Sequence, residues 1–145
     1  MAAVNRDDTL LENSASGGMF SAIAEAFLNE GGCVCGAAMD FRDNVADVRH
    51  IMIHSTSELF RLQKSKYVQS STDKAYKELQ TLLKNGEEVL FSGTPCQVEA
   101  AKSIAKRTGG RLYTIDIICH GVPSRQLFND FIACEAEKRK MKINS

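Results

Sequence analysis

Two cysteine-bearing turns hold the residue types best suited to chemistry. In Glu88–Gln97, EVLFSGTPCQ, the apolar run Val89, Leu90, Phe91 reads as a strand, Ser92-Gly93 stops it, and Thr94-Pro95-Cys96-Gln97 starts a helix. Thr94 caps the first free amides, Pro95 stands where its missing N–H costs nothing, and Gln97 completes a capping box. Gly93 is expected to supply a backbone conformation closed to other residues. Cys96 then falls in the first helical turn, where unpaired amides and the positive end of the helix dipole favour an anion and lower a thiol's pKa. A thiolate attacks carbon or binds metal; the alternative is a small side chain filling the gap between helix and sheet. The second turn is Cys119-His120-Gly121-Val122-Pro123-Ser124, after the strand 111–118. One reading of the two turns is a cysteine-nucleophile enzyme with Cys96 attacking and His120 as base. Another is a non-catalytic partner-binding domain.

Strand, helix, strand and helix from Glu88 onward make a βαβα run, which implies parallel pairing of 88–92 with 111–118. Parallel strands send their following loops to one edge of the sheet, the edge where α/β sheets hold ligands. Cys96 and Cys119 should therefore emerge side by side.

The rest of the chain supplies the frame. Ser14-Ala15-Ser16-Gly17-Gly18 leads into a helix with Phe20, Ile23, Ala24, Phe27 and Leu28 at helical spacing, Ser16 as its N-cap and Gly31-Gly32 as its stop. Ser-Gly-Gly at a helix start exposes amides suited to a phosphate, or makes a tight entry to the helix and nothing more. Cys33–Phe41 and Asp47–His54 read as an antiparallel hairpin around Arg42-Asp43-Asn44, with Cys33 and Cys35 on one strand face as small buried side chains. His50 and His54 read as ordinary strand residues. A short helix, ELFRLQ, gives way to the loop 64–71, whose Lys66, Tyr67, Gln69 and Ser70 suit either a solvated loop or one that clamps a phosphate and stacks a ring. Thr72 caps a helix with Ala75, Tyr76, Leu79, Leu82 and Leu83 inward, and the helix after Cys96 turns Val98, Ala101, Ile104 and Ala105 inward. Ser124 caps the last helix, with Leu127, Phe128, Phe131, Ile132 and Cys134 assigned to the core and Lys138, Arg139, Lys140 and Lys142 at its C-terminal end. The fold class expected is α/β: a mixed sheet with an N-terminal β-hairpin and a parallel βαβα unit, helices covering the sheet, in one domain over 1–145.

Composition narrows the partners. With Lys+Arg and Asp+Glu both 18 in 145 residues, no net field draws the chain to nucleic acid or an anionic membrane. No apolar run approaches a membrane span, and the polar N-terminus is unlike a signal peptide, so a cytoplasmic protein without a membrane segment is expected. Five cysteines, an odd number, argue for reduced thiols over a disulfide scaffold.

Five pieces, SASGGMFSAIAE at 14–25, GGCVCGAAMD at 31–40, KSKYVQS at 64–70, LFSGTPCQV at 90–98 and DIICHGVPS at 116–124, resemble the beta subunits of coenzyme F420 hydrogenases and dehydrogenases and their bacterial relatives. The resemblance implies an iron–sulfur flavoprotein oxidoreductase passing electrons between a cluster, FAD and a soluble hydride carrier, with a redox partner protein or ferredoxin-like domain. It implies Cys96 and Cys119 as two ligands of a four-iron cluster, and Ser16, Gly17, Gly18, Lys66, Tyr67, Gln69, Ser70, Ser92, Gly93 and Thr94 as flavin-binding. The family's remaining two ligands come from a later C-x-x-C, and this sequence contains no C-x-x-C. The chain is thus expected to be the central fragment of a longer protein, without a complete cluster and inactive by itself.

Overall fold

The computed structural model describes residues 4–42 and 45–139. Cys33–Arg42 (β1) and Val45–Ile53 (β2) pair antiparallel, from Val34 opposite Ile53 to Arg42 opposite Val45. This is the expected hairpin; its tip, Asp43-Asn44, lies outside the described residues. Val89–Gly93 (β3) pairs parallel with β1, Cys33 opposite Val89, and Leu112–Asp116 (β4) pairs parallel with β3, Gly93 opposite Asp116. The order β2-β1-β3-β4 makes the mixed α/β sheet that the periodicity implies.

Helices cover both faces because the inner strands are apolar on both. Asp8–Glu12 (α1) is a short helix in the polar N-terminal stretch. Met19–Asn29 (α2) and the 3-10 helix Thr56–Arg61 pack Ala24, Leu28, Leu59 and the adjoining Leu62 on one face, against Val34, Ala38, Ile53 and Leu90. Asp73–Lys84 (α3) and Pro95–Thr108 (α4) cover the other face with Leu79, Leu83, Val98, Ala101 and Ile104, against Cys33, Cys35, Val89 and Phe91. Strand parity explains the division: Val89 and Phe91 point one way and Leu90 the other. All five residues of β3 are buried, so a truncation such as Leu79→Ala, under this sheet, should cost about 2–5 kcal/mol. Arg125–Arg139 (α5) docks on β2, with Ile132 in a third cluster beside Ala46, Val48 and Val68.

Three expectations change. Gly18, not Ser16, stands at the N-cap of α2, at φ +72°, and no side-chain hydrogen bond closes that end. A left-handed residue there turns the chain more sharply than a serine cap could. Ile23 is 42% exposed, so the buried stripe of α2 is narrower than its spacing suggested. Cys134 is exposed, and so are Leu127 at 62% and Phe131 at 61%, all three against the expectation of a core position. The reason is that α5 lies on an edge strand and turns only the side bearing Phe128, Asn129, Ile132 and Ala136 toward it. Ser124 caps α5 as expected, its Oγ accepting from Leu127 N–H at 3.2 Å; Lys140 and Lys142 lie outside the described residues.

Candidate functional site at the carboxyl edge

Because Gly93 stands opposite Asp116, the turns after β3 and β4 leave the sheet together, and Ile117 N–H donates to the Gly93 carbonyl at 2.9 Å. Thr94 is the extended N-cap of α4, Pro95 its first residue, and Thr94 N–H donates to Gln97 Oε1 at 3.1 Å, the capping box read from the sequence. Cys96 follows, exposed, with its Sγ 3.2 Å from Thr94 Oγ1. Cys119 is also exposed, and Gly121, at φ +108°, donates its N–H to Cys119 Sγ at 3.4 Å. Both thiols therefore stand open at the same edge, each with one hydrogen-bonding neighbour, which rules out Cys96 as packing between helix and sheet. No hydrogen bond joins Cys96 to His120, which is exposed.

Gly93 serves differently from expectation. Its φ is not positive; instead a Cβ there would come within 3.0 Å of both Gln97 Oε1 and the Phe91 ring. Glycine is needed for the close approach of Gln97, not for a special conformation.

The loop 64–71 reaches the same edge. Gln69 N–H donates to the Pro123 carbonyl at 3.1 Å, fastening it to the Cys119 turn. Ser71 exchanges bonds with β2, donating to Val48 O at 2.9 Å and accepting from His50 N–H at 2.8 Å. Val68 is buried, which leaves its neighbour Tyr67 projecting, 77% exposed. Lys66 Nζ donates to the Arg61 and Gln63 carbonyls at the end of the 3-10 helix, and burial pushes its pKa down to about 8. An ammonium has three protons, so two carbonyls leave one donor for another partner.

Ser16–Gly18 adjoins this loop indirectly. The Gly17 carbonyl accepts from Asn5 N–H at 2.8 Å, and a Cβ on Gly18 would lie 3.1 Å from Asn5 Cβ. In the first turn of α2, buried Ser21 accepts from Gln63 Nε2 at 3.2 Å, and Gln63 in turn holds Lys66. Ser16 itself is exposed.

One residue of the site was missed in the sequence. His50 is 4% exposed, its ring lying parallel to that of Phe91 at 5.2 Å, between Ser70 and the Ser92 carbonyl. The available signal was parity: His50 shares the inward face of β2 with Ala46 and Val48, and a polar side chain there must find partners. Burial pushes its pKa down, with the Ser92 bond pulling the other way.

The two thiols of β1 are of another kind. Cys33 and Cys35 are buried as expected; burial pushes Cys33 up to about 12 and Cys35 well above the ordinary thiol range. Among the described residues no group of three or more His, Cys, Asp and Glu could hold a metal ion, so Cys96 and Cys119 are at most half of a four-thiolate set.

The fold is a mixed α/β sheet, and the turns after its adjacent parallel strands β3 and β4 each carry a solvent-open thiol. Family models agree on its kind. Those for the N-terminal and C-terminal parts of the coenzyme F420 hydrogenase/dehydrogenase beta subunit match residues 1–77 and 86–145 respectively. The chain belongs to the coenzyme F420 hydrogenase/dehydrogenase beta-subunit family. No curated protein matches it. Among solved structures it is similar in fold to a chain of the F420-reducing NiFe hydrogenase complex from Methanosarcina barkeri, at TM-score 0.73 and 17% identity over 92% of this chain. It covers 48% of that chain, about half its length. No helix among the described residues is long and apolar enough to cross a membrane.

Proposed function

We propose that this chain is the flavin-binding part, and half of the iron–sulfur site, of an oxidoreductase that passes electrons between a cluster, FAD and a soluble hydride carrier. The observation that carries the reading is the convergence at one sheet edge of the loop 64–71 with the two thiol-bearing turns. A flavin bound there would supply the hydride and single-electron chemistry, and the protein's part is to hold and tune it. The third Lys66 proton and the backbone amides at Ser16, Gly17 and Gly18 suit a diphosphate, while the exposed Tyr67 ring offers a flat face. Gln69, Ser70, Ser92, Gly93 and Thr94 form the wall between them in this reading. Cys96 and Cys119 would be two thiolate ligands, with Thr94 Oγ1 and the Gly121 amide beside the sulfurs. Two ligands do not complete a four-iron cluster, so the remaining ligands must come from other residues.

Titration of the purified chain with FAD, read by flavin fluorescence, tests the first half. Saturable binding, weakened at least tenfold by Lys66→Ala or Tyr67→Ala, is expected. A folded chain that shows no saturable binding, or binding indifferent to both changes, refutes it. For the second half, the full-length protein purified without oxygen should show iron–sulfur absorption that Cys96→Ser and Cys119→Ser each abolish.

A further inference from the structure

Hydrogen-bond directions at the edge can be assigned atom by atom. The Ser92 carbonyl can only accept, so His50 Nε2, 3.0 Å away, carries the ring proton. His50 Nδ1 is then an acceptor, and Ser70 Oγ, at 3.0 Å, must donate to it. Ser70 Oγ accepts in turn from Gln97 Nε2 at 3.0 Å. That orientation leaves Gln97 Oε1 facing Thr94, whose N–H and Oγ1–H both donate to it at 3.1 Å. Thr94 Oγ1 completes the chain 3.2 Å from Cys96 Sγ. From His50 to Thr94 each atom has one consistent role, and because the Thr94 hydroxyl proton goes to Gln97, Thr94 Oγ1 can only accept from the Cys96 thiol. The run joins three segments distant in sequence: β2, the loop 64–71 and the turn 92–97.

We propose that His50, as its Nε2–H tautomer, is a positioning residue for this edge, locking the Lys66–Tyr67 loop to the Cys96 turn through Ser70 and Gln97. An imidazole suits the task because its donor and acceptor lie on opposite sides of a rigid plane, and the Phe91 stack leaves that plane little freedom. A second hold acts on the same turn, since Tyr76 Oη donates to the Gln97 carbonyl at 3.0 Å and fixes its backbone. Gln97 is therefore held at both ends, and the side-chain end depends on His50. That the locked edge receives a flavin rests on the function proposed above; the lock itself does not.

Nitrogen NMR of the purified chain at neutral pH should show His50 as the Nε2–H tautomer. His50→Phe keeps the stack on Phe91 and removes both polar contacts. In it the Gln97 side-chain amide protons should exchange at least tenfold faster, while amides of α3 and α4 keep their rates; general loosening would speed those as well. If His50→Phe does not fold, Ser70→Ala cuts the run while leaving the ring, and the same effect on Gln97 is expected. Where the native chain binds FAD, both variants should raise Kd at least fivefold. An Nδ1–H tautomer, unchanged Gln97 exchange, or an FAD Kd within twofold of native in both variants would overturn the proposal. A native chain that binds no FAD removes the proposed function and leaves tautomer and exchange to decide.

Discussion

Acid should destabilise this protein through His50, by an amount that can be bounded. The folded ring's pKa lies below its ordinary 6.5 because burial disfavours the imidazolium, and only the Ser92 carbonyl opposes this. Between the folded and unfolded values the unfolded chain binds a proton that the folded chain refuses. Stability is therefore whole above about pH 6.5 and falls as pH drops toward the folded pKa, then flattens. At about 1.4 kcal/mol per pH unit, the loss reaches at most about 2 kcal/mol at pH 5. His50→Phe leaves the Ser70 hydroxyl and the Ser92 carbonyl without their partner and should cost about 1–3 kcal/mol at neutral pH. It also removes the titrating group. The stability gap between native and variant, from urea unfolding between pH 7.5 and 5, should accordingly narrow as pH falls. Every other ionisable group is common to both proteins and cancels in the difference. A gap that stays constant, or widens, would falsify the assignment of His50 as buried and neutral.

An aromatic disulfide reagent should titrate Cys96, Cys119 and Cys134 quickly in the native chain and reach Cys33 and Cys35 only on unfolding; fast reaction of all five would contradict the burial of β1. Gly110→Ala should destabilise by about 1–3 kcal/mol in thermal or urea unfolding, since its Cβ would stand 2.6 Å from Leu83 Cβ and 2.8 Å from the Leu83 carbonyl. Gly109→Ala has open space but a φ of +72°, so about 1–2 kcal/mol of backbone strain is the expected loss there. If a diphosphate binds beside Lys66, whose free pKa is about 8, FAD affinity measured between pH 7 and 9 should weaken above pH 8 as the free lysine loses its proton. Lys66→Met should flatten that dependence.

What could be read from the chain in advance was what local chemistry decides. The turn 92–97 was legible because strand, glycine, cap, proline and capping box fall within six residues, each constraining the next. Parallel pairing of β3 with β4 followed from one helix lying between them. The parallel join of β1 to β3 was not foreseen, since the contact spans two intervening helices that leave no mark on either strand. His50 escaped for the same reason. Its partners Ser70 and Ser92 are 20 and 42 residues away, and a lone histidine in an alternating strand carries no sign of them. Cys134 shows the opposite failure. Its spacing from Leu127 and Phe131 marks a true helical stripe, but α5 meets only an edge strand, and which stripe it buries is settled by Asn129 gripping the Ala46 N–H and carbonyl at 2.8 and 3.3 Å.

The fastening of the edge is neutral, and that choice has consequences for whatever binds there. Ion pairs occur elsewhere: Arg49 with Asp40 and Asp47, Arg61 with Glu58, Arg111 with Glu88, and Glu135 with Lys138 and Arg139. Between β2, the loop 64–71 and the turn 92–97 the links are instead an imidazole, two hydroxyls and an amide. A salt bridge in their place would set a fixed charge close to Cys96, and its field would act on whatever stands at that edge. It would also weaken with salt, as exposed pairs do. Neutral hydrogen bonds hold position without that field. The sulfurs keep their Thr94 and Gly121 neighbours, while the spacing of the loops stays independent of ionic strength.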